Sequence, residues 1–260
     1  MAPTPYISTA AAFVVAGAGV PVAKHGNRSA SGRCGSIDVL EGLGVRVDLS
    51  TAESVRLLAE VGVAPFFARR AHPAMRHVAS VRAALGIRTL MNCLGPLLNP
   101  VGARHQLVGV YEETLVEPLA EALGRLGSVR AMVVHGEDGL DEITTTGATH
   151  VALFHAGRVE TTRFTPEQAG LPRARPEALK GGSLAENVAR IRALVEGERG
   201  PAHDIVVANA GAALLVAGAV ADWPAGVARA AESLASGAAA ERLDALVAAS
   251  QALPVGGATR

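Results

Sequence analysis

The chain has 260 residues, and 49% of them are hydrophobic, enough for a sizeable core. Aromatics make up only 3%, so Ala, Val and Leu must fill that core. Lys+Arg and Asp+Glu both total 24. Zero formal charge argues against a general nucleic-acid binder, which needs a basic surface to displace counterions, but leaves room for a local basic pocket for a small phosphate ligand.

The two cysteines, Cys34 and Cys93, stand in neither a metal-type nor a CxxC spacing and read as free thiols of a reducing compartment. The apolar run at 10–23 is too short for a membrane span. No positive segment precedes it, as a signal peptide would require. The expectation is a soluble, cytoplasmic protein without membrane or nucleic-acid partners.

Ser8 and Thr9 precede the apolar run at 10–15. A hydroxyl residue there predicts a buried helix whose N-terminus is Ser8 or Thr9. Such an N-terminus can hold phosphate or can simply be capped, and both readings stay open. Gly17 and Gly19 end the helix, and 20–23 predicts a short buried strand. A polar loop follows: Lys24-His25-Gly26-Asn27-Arg28-Ser29, then Ser31, and on to Cys34-Gly35-Ser36-Ile37-Asp38. It gathers cations, an imidazole, an amide, hydroxyls and glycines, which suits either anion binding or an ordinary polar turn.

Residues 38–43 predict a helix ended by Gly44. Ser50-Thr51-Ala52-Glu53 is a capping box. The helix it starts is expected to bury Val55, Leu58 and Val61 before Gly62 stops it. From His72 to Arg82 the pattern predicts a helix with Pro73 at its first position. Met75, Val78, Val81 and Leu85 fall on its core face. An apolar stretch at 89–94 ends at Gly95-Pro96, and Asn99-Pro100 breaks the chain.

From Gln106 strands and helices alternate. A β-type run at 106–111 precedes a helix over 114–126, with Leu115, Leu119, Leu123 and Leu126 in line. A strand at 131–134 runs into His135-Gly136, and strands at 150–154 and 158–164 pair across Ala156-Gly157. Capping boxes follow at Thr165 to Gln168 and at Ser183 to Glu186. The second opens a helix carrying Val188, Ile191, Leu194 and Val195, closed by Gly197. Ala-rich helices are predicted over 204–220, 224–235 and 239–250, where small residues permit close packing. This alternation predicts an α/β sheet layered with helices.

The loop after the 131–134 strand, Glu137-Asp138-Gly139-Leu140-Asp141-Glu142, carries four carboxylates. They repel one another unless solvated or bound to a cation. Magnesium suits such a place, because it takes a few carboxylates and fills its shell with water and phosphate oxygens. A solvated acidic turn is the other reading.

Lys24 to Ser29 with Ser31, followed by Gly35-Ser36-Ile37-Asp38-Val39-Leu40-Glu41, resembles the phosphoribosyl-diphosphate loop of the anthranilate phosphoribosyltransferase family. Related segments occur in pyrimidine nucleoside phosphorylases of the same fold. Val134-His135-Gly136 through Asp141-Glu142-Ile143 resembles the acidic motif of that family, and Thr144 to Gly147 and Asn209-Ala210 continue the likeness. It runs with few gaps from about Ile7 to Ala248.

The resemblance implies the α/β large domain of the nucleoside phosphorylase/phosphoribosyltransferase type: a central sheet flanked by helices, with a remnant of a small helical domain. Residues 1–63 and 101–260 would form the α/β domain in two parts. Residues 64–100 would reach into the small helical domain and the acceptor site. The implied reaction moves the 5-phosphoribosyl group from phosphoribosyl diphosphate to anthranilate, releasing diphosphate, in tryptophan biosynthesis. The implied donor site is Ser8, Thr9, Lys24, Asn27, Arg28, Ser29, Ser31, Gly35 and Ser36, with Lys24 stabilising charge. The implied anthranilate site is His25, Asn27, His72, Arg82, Gly95 and Pro96, with Arg82 meeting the carboxylate. Mg2+ would sit on Asp141 and Glu142 beside Ser8, and the family implies a homodimer.

Departures from the family pattern shape a further expectation. Its Gly-Thr-Gly-Gly-Asp loop and its N-terminal helices are not among these residues, Tyr6 stands where it has Asn, and Cys34 where it usually has Ser. A shortened member with an altered phosphate side would bind the donor weakly and turn over anthranilate negligibly. Two alternatives remain: a non-catalytic binding or assembly protein derived from the family, and a pyrimidine nucleoside phosphorylase-like enzyme. The second would not need the Arg82 and Gly95-Pro96 acceptor wall.

Overall fold

The computed structural model describes residues 4–28, 34–72, 94–95 and 97–254. Ser29, Ser31, Arg82, Cys93 and Pro96 lie outside them, as do the helix expected from Pro73 and most of the 89–94 stretch.

Helix α1 (Tyr6–Gly17) is the core of the molecule: every residue from Tyr6 to Ala16 except Ser8 is buried. It is apolar on all sides, as a helix enclosed by others must be. Helices α2 (Ser36–Gly42) and α3 (Thr51–Val61) flank the parallel strands β1 (Val22–Gly26) and β2 (Val63–Phe67). A single helical turn, α4 (Ala68–Ala71), follows β2. The second sheet has the order β3-β4-β5-β6. Strand β3 (His105–Gly109) lies parallel to β4 (Arg130–Gly136), while β5 (Thr149–His155) and β6 (Arg158–Phe164) add antiparallel. Helix α5 (Val116–Arg125) covers one face of this sheet through Leu119, Ala120 and Leu123. Helices α6 (Leu184–Val195), α7 (Pro201–Val216), α8 (Trp223–Ala235) and α9 (Ala238–Ala252) complete the layer, and α1 packs against α6, α7, α8 and α9.

The expected central sheet is therefore present as two sheets, with β1 and β3 lining one cavity between them. The first residues of the 64–100 segment belong to β2 and so to the sheet. Close packing of the Ala-rich helices is realised where α7 crosses α8. A Cβ on Gly211 would come 2.9 Å from the Gly226 backbone, and one on Gly226 would come 2.7 Å from Gly211. Only two glycines let these helices touch backbone to backbone.

Local signals held. The Ser50–Glu53 and Ser183–Glu186 boxes cap α3 and α6 reciprocally, and Gly62 ends α3 in the left-handed conformation. Other expectations need correction. Helix α1 begins at Tyr6 with Pro5 as its cap, so Ser8 and Thr9 sit within its first turns and cap nothing. Thr9 is fully buried and donates its hydroxyl back to the Pro5 carbonyl at 2.8 Å. The buried stripe of α3 runs through Ser54, Leu57 and Val61, which three- and four-residue steps align. Val55 lies to one side and is exposed. Leu126 sits past the last turn of α5 and is exposed as well.

Tyr6 does not alter a phosphate side. It is fully buried and donates its hydroxyl to the Leu179 carbonyl at 3.0 Å, while the Arg190 guanidinium lies 4.8 Å from its ring centroid. Tyr6→Phe keeps the ring and its cation contact but strands that buried carbonyl. It is expected to cost about 1 kcal/mol, read as a fall of roughly 2–4 °C in the thermal unfolding midpoint. An unchanged midpoint would show that the bond adds no net stability.

Candidate active site

Strands β1 and β3, helix α1, helix α7 and the turn after β4 enclose a cavity of about 1100 Å³. Lys24 and His25 reach it from a strand, not from the loop expected after one. Pairing with β2, at Lys24↔Pro65 and His25↔Phe66, extends β1 to Gly26.

At one end of the cavity, Lys24 Nζ donates to Ser8 Oγ at 3.1 Å. The Ser8 hydroxyl and backbone N–H favour the charged form of the Glu142 carboxylate, with Asp141 beside it. Removal from water pushes the Lys24 ammonium below the usual lysine range, and the Glu142 and Asp141 charges oppose that shift. Glu142 moves the other way. Burial raises its carboxyl first, the Asp141 charge raises it further, and Lys24 and Ser8 pull it back. Ser8, Lys24, Asp141 and Glu142 thus converge from α1, β1 and one turn.

The four carboxylates of the acidic loop divide into two kinds. Glu137 pairs with Arg163 and accepts the Ala148 N–H at 3.1 Å. Asp138 accepts the Thr144 hydroxyl at 2.6 Å, the Thr146 hydroxyl and the Leu140 N–H. These two shape the turn, and the other two line the cavity.

His25, Asn27, His72 and Gly95 line the other part of the cavity. The two imidazoles meet edge to face, with ring centroids 5.2 Å apart. Each has a buried Nε2 with no hydrogen-bond partner among the described residues. Burial, then His72 and Lys24, hold the His25 imidazole down at about 4, so it is neutral at pH 7.

Four expected donor-site residues are not brought into the cavity wall. Arg28 is tied to Asp38 at 2.9 Å and to Glu41 at 2.7 Å. Gly35 donates its N–H to Asp38 at 2.8 Å as the cap of α2. The Ser36 side chain packs against Gly26, and Thr9 is back-bonded as described. Cys34 is buried, and burial pushes its thiol up, so it behaves as a small core residue.

Two residues at the site went without a role in the sequence. Asn209 of α7 lines the cavity and bonds the Ile143 backbone. Gly109, the last residue of β3, faces the Asp141 carbonyl. A lone amide in the apolar run Val206–Leu215 was the available signal for Asn209; nothing distinguished Gly109 from a turn glycine.

The model for the glycosyl transferase family, a/b domain, matches residues 3–240, which sets the class of protein. Anthranilate phosphoribosyltransferase of Rhodospirillum rubrum is 57% identical over 242 residues, 93% of this chain and 70% of that one. The crystal structure of anthranilate phosphoribosyltransferase from Thermus thermophilus superposes with a TM-score of 0.91 at 47% identity, covering 97% of this chain and 75% of that one. The Saccharomyces cerevisiae anthranilate phosphoribosyltransferase, solved in complex with PRPP and Mg, superposes at 0.88 with 27% identity, covering 97% and 71%. The chain belongs to the anthranilate phosphoribosyltransferase family.

The neutral state of His25 sets a pH dependence. Below about pH 6.5 the unfolded imidazole takes up a proton that the folded one refuses until about 4. The unfolded chain then binds more protons, so the His25 contribution is fully present above pH 6.5 and is lost as pH falls toward 4. Denaturant midpoints measured across that window should fall less steeply for His25→Gln than for the parent chain. Parallel slopes would show that His25 is not held neutral.

Proposed function

We propose that this chain transfers the 5-phosphoribosyl group of phosphoribosyl diphosphate to the amine of anthranilate, with loss of diphosphate, in tryptophan biosynthesis. The observation that carries the reading is one cavity lined by the charged set Ser8, Lys24, Asp141 and Glu142 together with His25, Asn27 and His72. The charged set suits a diphosphate, and the imidazoles suit a flat aromatic acceptor.

Magnesium fits the donor end. It needs only one or two carboxylates, with water and phosphate oxygens completing its shell. Asp141 and Glu142 supply these, and Ser8 offers a hydroxyl beside them. When bound, magnesium neutralises charge on the departing diphosphate. Lys24, half-buried and held by Ser8, adds a positioned cation near the leaving group.

On this reading His25, His72 and Gly95 wall the acceptor, and the family resemblance gives Arg82 the anthranilate carboxylate, which a planar guanidinium matches at two points. The aromatic amine is neutral at pH 7 and needs no activation. Its nitrogen bonds to C1 of the ribose as the C1–O bond to diphosphate breaks, and the nitrogen then sheds a proton. The neutral His25 imidazole is an acceptor within the same cavity. Holding the two substrates in line supplies much of the remaining rate.

Loss of anthranilate fluorescence in the presence of phosphoribosyl diphosphate and magnesium tests the proposal directly. Turnover supports it, and persistent fluorescence at saturating substrates contradicts it. Arg82→Ala is expected to weaken anthranilate by about 2 kcal/mol, a loss of roughly thirtyfold. The KM for phosphoribosyl diphosphate should stay within twofold, and equal losses for both substrates would assign Arg82 to structure.

A further inference from the structure

The segment 137–148, which carries Asp141 and Glu142, contains no helix or strand. Two carboxylates on irregular backbone hold a fixed separation only if neighbouring elements grip that backbone. Two do so. Asn209, 1% exposed on α7, accepts the Ile143 N–H at 3.0 Å through Oδ1. Its Nδ2 donates to the Ile143 carbonyl at 2.8 Å and to the Ile205 carbonyl at 2.9 Å. The residue immediately after Glu142 is thus clamped at both backbone groups, and α7's own backbone anchors the clamp.

The second grip comes from β3. A Cβ built on Gly109 would fall within the Asp141 carbonyl group. The absence of a side chain there lets the turn lie directly on the end of the strand. Asp141 is therefore set from one side and Ile143 from the other, with Glu142 between them.

A core amide is otherwise an expensive choice on α7, where the neighbours are Val, Ala and Gly. Burying an amide costs free energy unless its bonds are made. Only an amide offers donor and acceptor together at that reach, as the two Ile143 groups require.

We infer that Asn209 and Gly109 are positioning residues that set the magnesium affinity of Asp141 and Glu142. The inference rests on the reading of those carboxylates as the metal site. The test is calorimetric titration of magnesium into the 260-residue chain saturated with phosphoribosyl diphosphate, beside donor binding without metal. Asn209→Leu removes the clamp at similar volume, and Gly109→Ala displaces the turn without touching α7. Val207→Ala, buried on α7 and not lining the cavity, serves as a control for lost stability alone.

Both test variants should lose magnesium affinity by roughly ten- to a hundredfold, the effect usual for outer partners of metal ligands. Metal-free donor binding should stay within twofold, and Val207→Ala should keep parental magnesium affinity whatever its melting temperature. Unchanged magnesium affinity in either folded variant overturns the inference, as does an equal loss in Val207→Ala. Failure of both variants to fold overturns it too, by marking the two residues as core structure alone. Donor binding that ignores magnesium in the parent chain is a different failure, because it removes the metal site itself.

Discussion

The contact between Lys24, Ser8 and Glu142 constrains the rest of the structure. A half-buried ammonium and a half-buried carboxylate lining one cavity each lose hydration, and each is driven toward its neutral form. Their mutual attraction offsets part of that cost, but the second carboxylate, Asp141, leaves the group short of positive charge. A cation beside Glu142 favours its ionised form, and an anion beside Lys24 favours the ammonium. A metal and a polyphosphate bound here would therefore each improve the site for the other without a conformational change.

That coupling requires the charged groups to stay apart by set distances, and the packing provides for it. Ser8 lies on a helix enclosed by other helices, Lys24 on a strand paired with β2, and Glu142 on a turn seated against β3 and α7. The interior is built from small residues, so backbones approach closely, as at Gly211 and Gly226. Such an interior has little slack in which a helix can shift. A chain with 3% aromatics gains rigidity from close backbone contact in place of large interlocking side chains.

What the sequence made legible was local. The boxes at Ser50 and Ser183 involve residues three apart, and the left-handed glycine at Gly62 needs only its own backbone. The alternation after Gln106 was readable because β4 is buried on both faces and α5 on one. Distant partners set the rest. Lys24 and His25 lie on a strand because of residues about forty positions later. Tyr6 turns into the core toward Leu179, 173 residues away, which spacing cannot foretell. Ser8 and Thr9 looked alike in the sequence, yet helical rotation sends one hydroxyl to the cavity and the other back to its own helix.

The acidic loop shows where reading by composition stops and geometry takes over. Four carboxylates in six residues have the same chemistry, and repulsion alone would scatter them into solvent. Glu137 is drawn off by Arg163, which arrives on β6, and Asp138 is enclosed by Thr144 and Thr146 from its own turn. Pairing Glu137 and hydrogen-bonding Asp138 within the turn lets it lie against Gly109 and Asn209, leaving Asp141 and Glu142 to line the cavity. The structural pair is thus a condition for the site: without partners for Glu137 and Asp138, four mutually repelling charges would have no reason to hold a single arrangement.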